Sequence, residues 1–337
     1  MPGQKNIEIV RERKNPDMLL MMMLAAKSGY VSGEELSRKF GVSRSAIWKQ
    51  INHLRELGYE LESSTRLGYR ILKSPDLLFP EEIWSKADLS FLGDRIYYYS
   101  TIGSTNSEAK RIAQEGAPHG TLIIAEEQTK GKGRMGRSWT SPRGTGIWIS
   151  IIMKPQMMPS EAPKLTILTA VAVAEAINEE TNINAVIKWP NDILIQGKKV
   201  CGILTEMSAE LDIVNYVVIG VGINVNNDTF PEEVKDRAIS LKIAKGKTVD
   251  RLRVLACFLE KLEKHYAIAM SQGFEAVFDR WRKLCCNLGK PVEIVTKNGF
   301  FSGVAIDIDE HGALIVKKDD GNFEKLFSGD VSLKQIE

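Results

Sequence analysis

The chain reads Gln128-Thr129-Lys130-Gly131-Lys132-Gly133-Arg134-Met135-Gly136-Arg137-Ser138-Trp139 between two strand-like runs. The first run is Thr121–Ala125, and the second covers residues 146–152 and is rich in β-branched and aromatic side chains. Residues 128–143 contain no acidic residue and five basic ones: Lys130, Lys132, Arg134, Arg137 and Arg143. Glycine lets a backbone approach a ligand closely, and cations between glycines suit phosphate or carboxylate. The stretch predicts an anion-binding loop between two strands.

Two alternatives accompany this prediction. The spacing of Gly131 and Gly136 approaches that of a phosphate-binding P-loop, but Arg137 stands where the lysine is needed. A P-loop also leads into a helix whose N-terminus holds the phosphates, whereas a strand follows here. These departures argue against a P-loop, and a solvated basic hairpin loop remains the structural alternative.

Composition narrows the class of protein. The 337 residues are 43% hydrophobic and carry a net charge of +2, which is typical of a soluble chain of two or three domains. No apolar run approaches the ~20 residues of a membrane span, and residues 18–26 lack a signal-peptide cleavage site. The cysteines form no Cys-x-x-Cys pair, which favours reduced thiols in the cytoplasm: Cys201, Cys257, Cys285 and Cys286.

The N-terminal part predicts a winged helix-turn-helix. Residues 1–16 are polar and predict a flexible tail, and residues 17–73 form the domain. Helices are expected at residues 18–26 and 33–40 and after Ser43, where Ile47, Ile51 and Leu54 share one face. A hairpin follows over residues 59–72.

The third helix and the wing carry residues that contact phosphates and base edges in DNA. They are Ser43, Arg44, Ser45, Trp48 and Lys49 on the helix and Arg66 and Arg70 on the wing. Nine lysines and arginines against six acidic residues give residues 17–73 a charge of only +3. DNA binding is therefore predicted from the joint presence of helix and wing, with a helical adaptor as the alternative.

The rest of the chain predicts a linker and two further domains, so the fold class is multi-domain α+β. Residues 74–80 are the linker. Residues 81–287 alternate between strands and helices and predict a mixed or antiparallel sheet with helices on one face, including a capping box from Thr105 to Glu108. Residues 288–337 contain short strands separated by Asn298-Gly299, His311-Gly312 and Asp320-Gly321, and predict a small β-barrel.

Three further features accompany the basic loop in the central domain. They are the polar helix start Gly103-Ser104-Thr105-Asn106, the segment Lys188-Trp189-Pro190-Asn191-Asp192 with Lys198-Lys199 after it, and the strand glycines of Gly220-Val221-Gly222-Ile223-Asn224. A glycine inside a strand often marks close approach of a ligand. Each feature also has a structural explanation, because Ser104 can cap a helix, Trp189-Pro190 can close a turn and the lysine pair can be solvated.

Together these motifs resemble the biotin protein ligases, and the winged helix resembles their bifunctional subgroup, which also represses biotin genes. The resemblance covers nearly all the chain after residue 16. It rests on the Gly/Arg loop ending at Trp139 and on residues 188–192. Lys132 departs from the pattern, since many members carry arginine there; the charge is kept but bidentate geometry is lost.

The resemblance implies roles for individual residues. Biotin would meet Ser104, Thr105, Asn106 and Gln128, in a pocket lined by Gly202, Gly220 and Gly222. Lys132, Gly133 and Arg134 would close over biotin and the adenylate phosphate, Lys199 would meet the carboxylate and α-phosphate, and Trp139 would pack near adenine. The nucleotide and its Mg²⁺ would be surrounded by Lys188, Asn191, Asp192 and Asn224.

The implied chemistry needs cations but no side-chain nucleophile. Biotin would react with ATP to give biotinyl-5′-adenylate, and the biotinyl group would pass to a lysine of the biotin carboxyl carrier protein. Two anions must meet in the first step, and their repulsion would be offset by Mg²⁺ and by Lys132, Arg134, Lys188 and Lys199. Asp192 is the hypothetical base for the second step and the metal ligand.

The bifunctional subgroup also implies regulation. The adenylate would act as co-repressor by ordering the loop, promoting a homodimer and so binding two operator half-sites. A lipoate–protein ligase on the same fold and a transcriptional sensor without ligase activity are the alternatives.

Overall fold

The computed structural model describes residues 8–27, 29–296, 299–327 and 329–333. Three sequence predictions extend outside these ranges: the first seven residues of the tail, Asn298 of a predicted turn and the end of the last strand from residue 334. Within the described ranges, no helix has the length and apolar character needed to cross a membrane.

The predicted flexible tail is wrong for part of its length. Residues Glu8–Glu12 form strand β1, which pairs antiparallel with β4 (Arg95–Tyr99) at the edge of the central sheet. Arg95 forms an ion pair with Glu12, and Arg11 Nε lies 3.1 Å from Glu81 Oε1. These partners are distant in sequence, so the local pattern of the tail contains no sign of the strand.

The N-terminal part has the order of elements predicted for a winged helix-turn-helix. It consists of α1 (Met18–Ala25), α2 (Gly33–Phe40), α3 (Arg44–Glu56) and the hairpin β2 (Glu60–Ser64) and β3 (Gly68–Lys73). Ser43 caps α3 by accepting a hydrogen bond from Ala46 N at 3.2 Å. Gly41 ends α2 in the left-handed region with φ of 65°, where glycine carries no Cβ penalty. Ile47, Ile51 and Leu54 are buried as predicted.

A helix that the sequence did not predict joins this part to the central domain. Helix α4 (Pro80–Lys86) begins inside the predicted linker, with proline at its first position. Its Glu81 is buried and accepts hydrogen bonds from Arg11 Nε and from Asp17 N, at 3.1 and 3.0 Å. The winged-helix part is therefore docked against α4.

The central domain contains an eight-stranded mixed sheet in the order β1-β4-β5-β6-β10-β9-β8-β7. The remaining strands are β5 (Thr121–Ala125), β6 (Gly146–Met153), β7 (Val186–Lys188), β8 (Asp192–Ile195), β9 (Lys198–Glu210) and β10 (Ile213–Asn224). Strands β4 and β5 run parallel, while β5, β6, β10, β9, β8 and β7 pair antiparallel in turn.

Helices cover both faces of this sheet, so the prediction of one covered face is wrong. Helix α5 (Thr105–Gln114) packs Ala109 and Ile112 against Ile123 and Ile152. The other face meets α6 (Pro163–Thr181) and α8 (Arg251–Gln272), which pack on each other and on α9 (Glu275–Leu284). The short α7 (Leu241–Lys245) precedes α8. Neighbouring residues of β5 alternate between the two cores because side chains alternate along a strand.

The C-terminal part is a five-stranded antiparallel sheet in the order β14-β13-β12-β11-β15. Its strands are β11 (Pro291–Thr296), β12 (Gly299–Ile308), β13 (Leu314–Lys318), β14 (Phe323–Leu326) and β15 (Asp330–Leu333). The predicted barrel is not confirmed, because β14 and β15 lie at opposite ends of the described strand order. The sheet docks through the turn at Gly312, whose carbonyl accepts a hydrogen bond from Trp189 Nε1 at 3.3 Å.

Candidate functional site

The candidate site lies on a strip of the sheet that has no side chains. Gly222 of β10 is directly opposite Gly202 of β9, and Gly220 is opposite Ser150 of β6. None of these glycines has a positive φ, so backbone conformation does not require them. Glycine is required because other side chains approach the backbone closely. A Cβ on Gly220 would lie 1.9 Å from Asn106 Oδ1, and one on Gly222 would lie 2.5 Å from Trp139 Nε1.

Asn106 lies over Gly220 and uses both Nδ2 hydrogens and one acceptor position of Oδ1. Its Nδ2 donates to Leu204 O at 3.2 Å and to Glu206 Oε2 at 3.0 Å, and its Oδ1 accepts from Ser150 Oγ at 2.6 Å. Lys110 Nζ lies 2.7 Å from Glu206 Oε1. Burial raises the pKa of Glu206, but hydrogen bonds from Lys110 and Asn106 outweigh it and hold this pKa below its ordinary value.

The start of α5 corrects one prediction. The N-cap is Ser104, whose Oγ accepts from Ser107 N, so the predicted capping box from Thr105 to Glu108 is wrong. Thr105 instead directs its backbone N–H and its hydroxyl to Gln128 Oε1, at 2.8 and 3.0 Å. Gln128 Nε2 donates onward to Ser141 Oγ at 2.8 Å. The helix start and both ends of the basic loop are thereby joined.

The basic loop leads into β6 and not into a helix. Within it, Gly133 N donates to Arg137 O at 2.7 Å and Trp139 N donates to Gly131 O at 2.9 Å. A Cβ on Gly131 would lie 2.2 Å from Trp139 O, so this glycine allows the two sides of the loop to meet. Lys132 pairs with Ser138 across the loop and has an exposed side chain.

The Trp139 indole rests on the glycine strip. It contacts the backbone at Gly202 and Gly222, and its Nε1 is buried with no hydrogen-bond partner among the described residues. Lys199 Nζ lies 5.3 Å from the centroid of the ring, within the range of a cation–π contact. An unpartnered buried donor beside a cation marks a place where a polar ligand group can bind.

The cations beside Trp139 are paired with polar side chains of the 188–192 segment. Lys199 Nζ lies 2.6 Å from Asp192 Oδ1, and Arg134 Nη1 donates to Asn191 Oδ1 at 2.8 Å. Asn191 is fixed by its Nδ2, which donates to Ile203 O at 2.8 Å. Lys188 is the register partner of Asp192 on the neighbouring strand. The structure thus brings residues from four predicted motifs to one place.

Asn224 continues the face of β10 that carries Gly220 and Gly222. It lies at the end of β10, is buried, and donates from Nδ2 to Ile239 O at 3.4 Å. Sequence reasoning also missed Ser150, Glu206 and Lys110. Ser150 had a signal, since it is the polar residue of an otherwise apolar strand, whereas Glu206 and Lys110 reach the site only through the fold.

The cysteines do not offer a nucleophile. Burial raises the pKa of Cys257 to about 11 and that of Cys285 to about 12. Burial likewise raises the pKa of Cys201 and Cys286 above the ordinary value. All four thiols are therefore protonated and unreactive at neutral pH.

The candidate DNA surface differs in detail from the prediction. Ser43, Arg44, Ser45, Trp48 and Lys49 are exposed on α3, with 55% of Trp48 accessible. Arg44 Nη2 lies 2.8 Å from Glu34 Oε2. Arg70 forms an ion pair with Glu62 and lies over the Tyr30 ring, so its charge is largely compensated by contacts inside the domain. Arg66 is exposed and has no ion pair within the described ranges.

Comparison with known proteins divides the chain as its fold does. Residues 18–70 match the HTH domain family, and residues 98–224 match the Biotin/lipoate A/B protein ligase family. Residues 288–334 match the Biotin protein ligase C terminal domain.

Two relatives match over almost their whole length. The chain is 43% identical to the Bifunctional ligase/repressor BirA of Bacillus spizizenii, across 94% of this chain and 97% of the relative. It is 30% identical to the Bifunctional ligase/repressor BirA of Escherichia coli, across 96% of this chain and 99% of the relative. The solved biotin protein ligase from Aquifex aeolicus, in complex with biotin and ATP, has a TM-score of 0.63 and 30% identity, covering 72% of this chain and 99% of that one.

Proposed function

Because the chain belongs to the biotin protein ligase family, we propose that it activates biotin with ATP and transfers the biotinyl group to a lysine of biotin carboxyl carrier protein. We propose further that its winged helix represses biotin genes, with biotinyl-5′-adenylate as co-repressor. We propose that the chain performs both activities in the cytoplasm.

One observation carries the ligase proposal: Lys199, Asp192 and Trp139 converge on the bare strip at Gly202 and Gly222. A biotin chain fits against a surface without side chains, and its carboxylate would then meet Lys199. Trp139 covers this strip, so its ring must move for a ligand to reach the two glycines. The moved ring would be placed to pack on adenine, and its unpartnered Nε1 would be free to donate.

The head group of biotin is proposed to bind at the start of α5. Ser104, Thr105 and Asn106 are all buried there, and Gln128 joins Thr105 to the loop. The ureido group of biotin has one acceptor and two donors, which matches hydroxyl, amide and carboxylate partners that exchange hydrogen bonds with it. Lys132, Gly133 and Arg134 would close over the bound ligand and exclude water from the mixed anhydride.

Activation needs charge compensation. A biotin carboxylate oxygen attacks the α-phosphorus, and the bond from that phosphorus to the pyrophosphate oxygen breaks. Lys199, Arg134 and Lys188 would offset the repulsion between carboxylate and phosphate, because preorganised cations are most effective where water is excluded. Asn191 would hold Arg134 in place, and Asn224 would lie at the nucleotide end of the strip.

The residues fit a magnesium ion that arrives with the nucleotide. Asp192 is the carboxylate beside Lys199, and the described residues place no cluster of three acidic, histidine or cysteine ligands there. Mg²⁺ commonly binds one carboxylate together with substrate phosphates and water. When bound, it would supply further neutralisation of phosphate charge.

Transfer would follow at the same place. The acceptor lysine amine attacks the acyl carbon, AMP leaves with its oxygen, and the amine loses a proton. Asp192 is the proposed base, with Lys199 holding its carboxylate at 2.6 Å. Asp192→Asn should slow transfer from preformed adenylate, and an unchanged transfer rate would remove Asp192 from this role.

Repression requires a dimer, for which β9 offers an edge. Residues 205–210 of β9 pair with β10 on one side and with no strand on the other within the described chain. Met207 is exposed on this part of β9, and Leu211 and Ile213 are exposed at the turn into β10. Strand pairing between two copies would bury it symmetrically. The edge is close to the ligand site, since Glu206 and Leu204 O both bind Asn106.

A mass measurement tests the ligase proposal. The full chain is incubated with biotin, MgATP and a biotin-acceptor domain, and the acceptor should gain one biotinyl group. Lipoate replaces biotin in the parallel sample, because a lipoate ligase would label with lipoate instead. An unlabelled acceptor in both samples would support the sensor alternative, provided that the DNA-binding assay remains positive.

The repressor proposal needs its own assay. Binding to promoter DNA of biotin genes should strengthen, and the chain should sediment as a dimer, when biotin and MgATP are both present. DNA binding that ignores biotin and ATP would contradict the proposal.

A further inference from the structure

A buried ion pair connects the interdomain linker with both ends of the basic loop. Arg251 of α8 and Glu126 are both completely buried, and Arg251 Nη1 lies 2.9 Å from Glu126 Oε2. Glu126 directly follows β5 and is two residues before Gln128. The same Nη1 donates to Gly146 O at 2.9 Å, at the start of β6. Arg251 Nη1 therefore binds both ends of segment 126–146, which contains the basic loop.

The other atoms of the pair reach the linker. Arg251 Nε lies 2.9 Å from Asp76 Oδ1, and its Nη2 donates to Asp76 O. Glu126 Oε1 accepts from Leu78 N at 2.8 Å and from Tyr98 OH at 3.4 Å. Asp76 comes three residues after β3, the last strand of the wing. A chain of contacts thus runs from the wing to the loop.

The physics of buried charge makes this connection stiff. If Arg251 moved away, Glu126 would be left as an unpaired charge in the interior, and if Glu126 moved away, Arg251 would keep only the half-exposed Asp76 as its ionic partner, so separation is strongly unfavourable. A shift of Glu126 must therefore be followed by Arg251, and the hydrogen bonds to Asp76 and Leu78 must follow as well. Such a packed network is the kind of element through which two sites can bias one another.

We propose that Arg251 and Glu126 are positioning residues that couple the order of the ligand loop to the position of the interdomain linker. The inference rests on the proposed function, since it concerns the loop that would close over the adenylate. Neither residue touches the glycine strip. Their effect would be to transmit loop closure to Asp76 and Leu78, and from there to the DNA-binding domain.

The Leu78 amide is a direct reporter, because its N–H donates to Glu126. Hydrogen exchange is measured on the full chain with and without biotin and MgATP, and ATP–pyrophosphate exchange is followed on the same samples. In the wild-type chain the ligands should slow exchange of the Leu78 amide at least tenfold, and should also slow exchange at Gly133 and Trp139 in the loop.

Two variants interrupt the connection to different degrees. Asp76→Ala removes the side-chain contact to Arg251, and Arg251→Lys removes the fork of donors. Arg251→Lys should reduce the slowing at Leu78 to threefold or less while the loop amides stay protected, and Asp76→Ala should reduce it by a smaller factor because the bond from Leu78 N to Glu126 remains. Asp279→Ala is the matched control, since Asp279 is 60% exposed and 2.8 Å from Arg282 while Asp76 is 58% exposed and 2.9 Å from Arg251.

The outcomes separate the two levels of the proposal. If ATP–pyrophosphate exchange is normal but hydrogen exchange of the Leu78 amide does not respond to the ligands, the coupling is overturned and the proposed function stands. The coupling is also overturned if Arg251→Lys, which weakens the buried pair itself, retains the full wild-type slowing. Absence of biotin-dependent pyrophosphate exchange in the wild-type chain would overturn the proposed function and this inference with it.

Discussion

Replacing Gly220 by alanine should weaken biotin binding by a calculable amount. The new Cβ would lie 1.9 Å from Asn106 Oδ1, so the amide must retreat by about 1.5 Å to reach ordinary contact distance. A shift of that size breaks the hydrogen bonds with Ser150 Oγ, Leu204 O and Glu206 Oε2. At about 1 kcal/mol for each neutral bond and about 2 for the bond to the carboxylate, the total is about 4 kcal/mol.

Part of this cost is recovered when biotin is absent. The displaced amide can then rotate into the space that biotin would occupy, so we assign about half of the cost, roughly 2 kcal/mol, to biotin affinity. That corresponds to about a 30-fold rise in the KM for biotin. The assay is biotin-dependent ATP–pyrophosphate exchange, with thermal unfolding followed in parallel.

Val221→Ala is the control for this experiment. Val221 lies on the same strand but faces the opposite core, so its truncation should lower stability by about 2 kcal/mol and leave the KM for biotin unchanged. A KM for Gly220→Ala within threefold of wild type would refute the assignment of Asn106 to the biotin site.

Three further outcomes are expected. Lys199→Gln should lower the rate of adenylate formation by about 10²- to 10³-fold, because a donor at the developing charge is lost. The variant Lys198→Gln, at the exposed neighbouring residue, should leave this rate unchanged. ATP–pyrophosphate exchange measures both rates. Arg66→Ala should weaken DNA binding and reduce its salt slope by about 1, while Arg70→Ala should leave the slope unchanged, as tested by titration at several salt concentrations. Because the pKa of Glu206 is lowered in the folded chain, its carboxylate stabilises the fold above the ordinary pKa of 4.5, and this contribution is lost as the pH falls through the lowered folded pKa. The melting temperature of wild type should therefore fall more steeply towards low pH than that of Glu206→Gln, and parallel curves would contradict this.

Local patterns were enough for most elements and for the identity of the site motifs. Ser43 caps its helix where the sequence placed it, and Thr121–Ala125 is a strand with the predicted bounds. The glycine and arginine loop and the 188–192 segment were also recognisable, because glycine, proline and clustered cations restrict what a backbone can do locally. These features depend on residues within a turn or two of one another.

Edge strands and the contacts between domains could not be predicted in this way. Strand β1 depends on β4, and the docking of α4 depends on Glu81 meeting Arg11 and Asp17, which are 70 and 64 residues away in sequence. The number of covered sheet faces was also misjudged, although β5 is buried at all five positions, which is typical of a strand covered on both faces.

By itself, the sequence determined that this chain joins a winged helix to a domain with a basic, glycine-rich anion site, and its motifs were sufficient to indicate biotin ligation. Only the tertiary structure decided why Gly202, Gly220 and Gly222 must be glycines: the approaching Asn106 and Trp139 come from other elements. The fold likewise decided that Arg251 meets Glu126 across more than a hundred residues. Contacts between distant segments depend on how the elements pack, and no local pattern of residues encodes that packing.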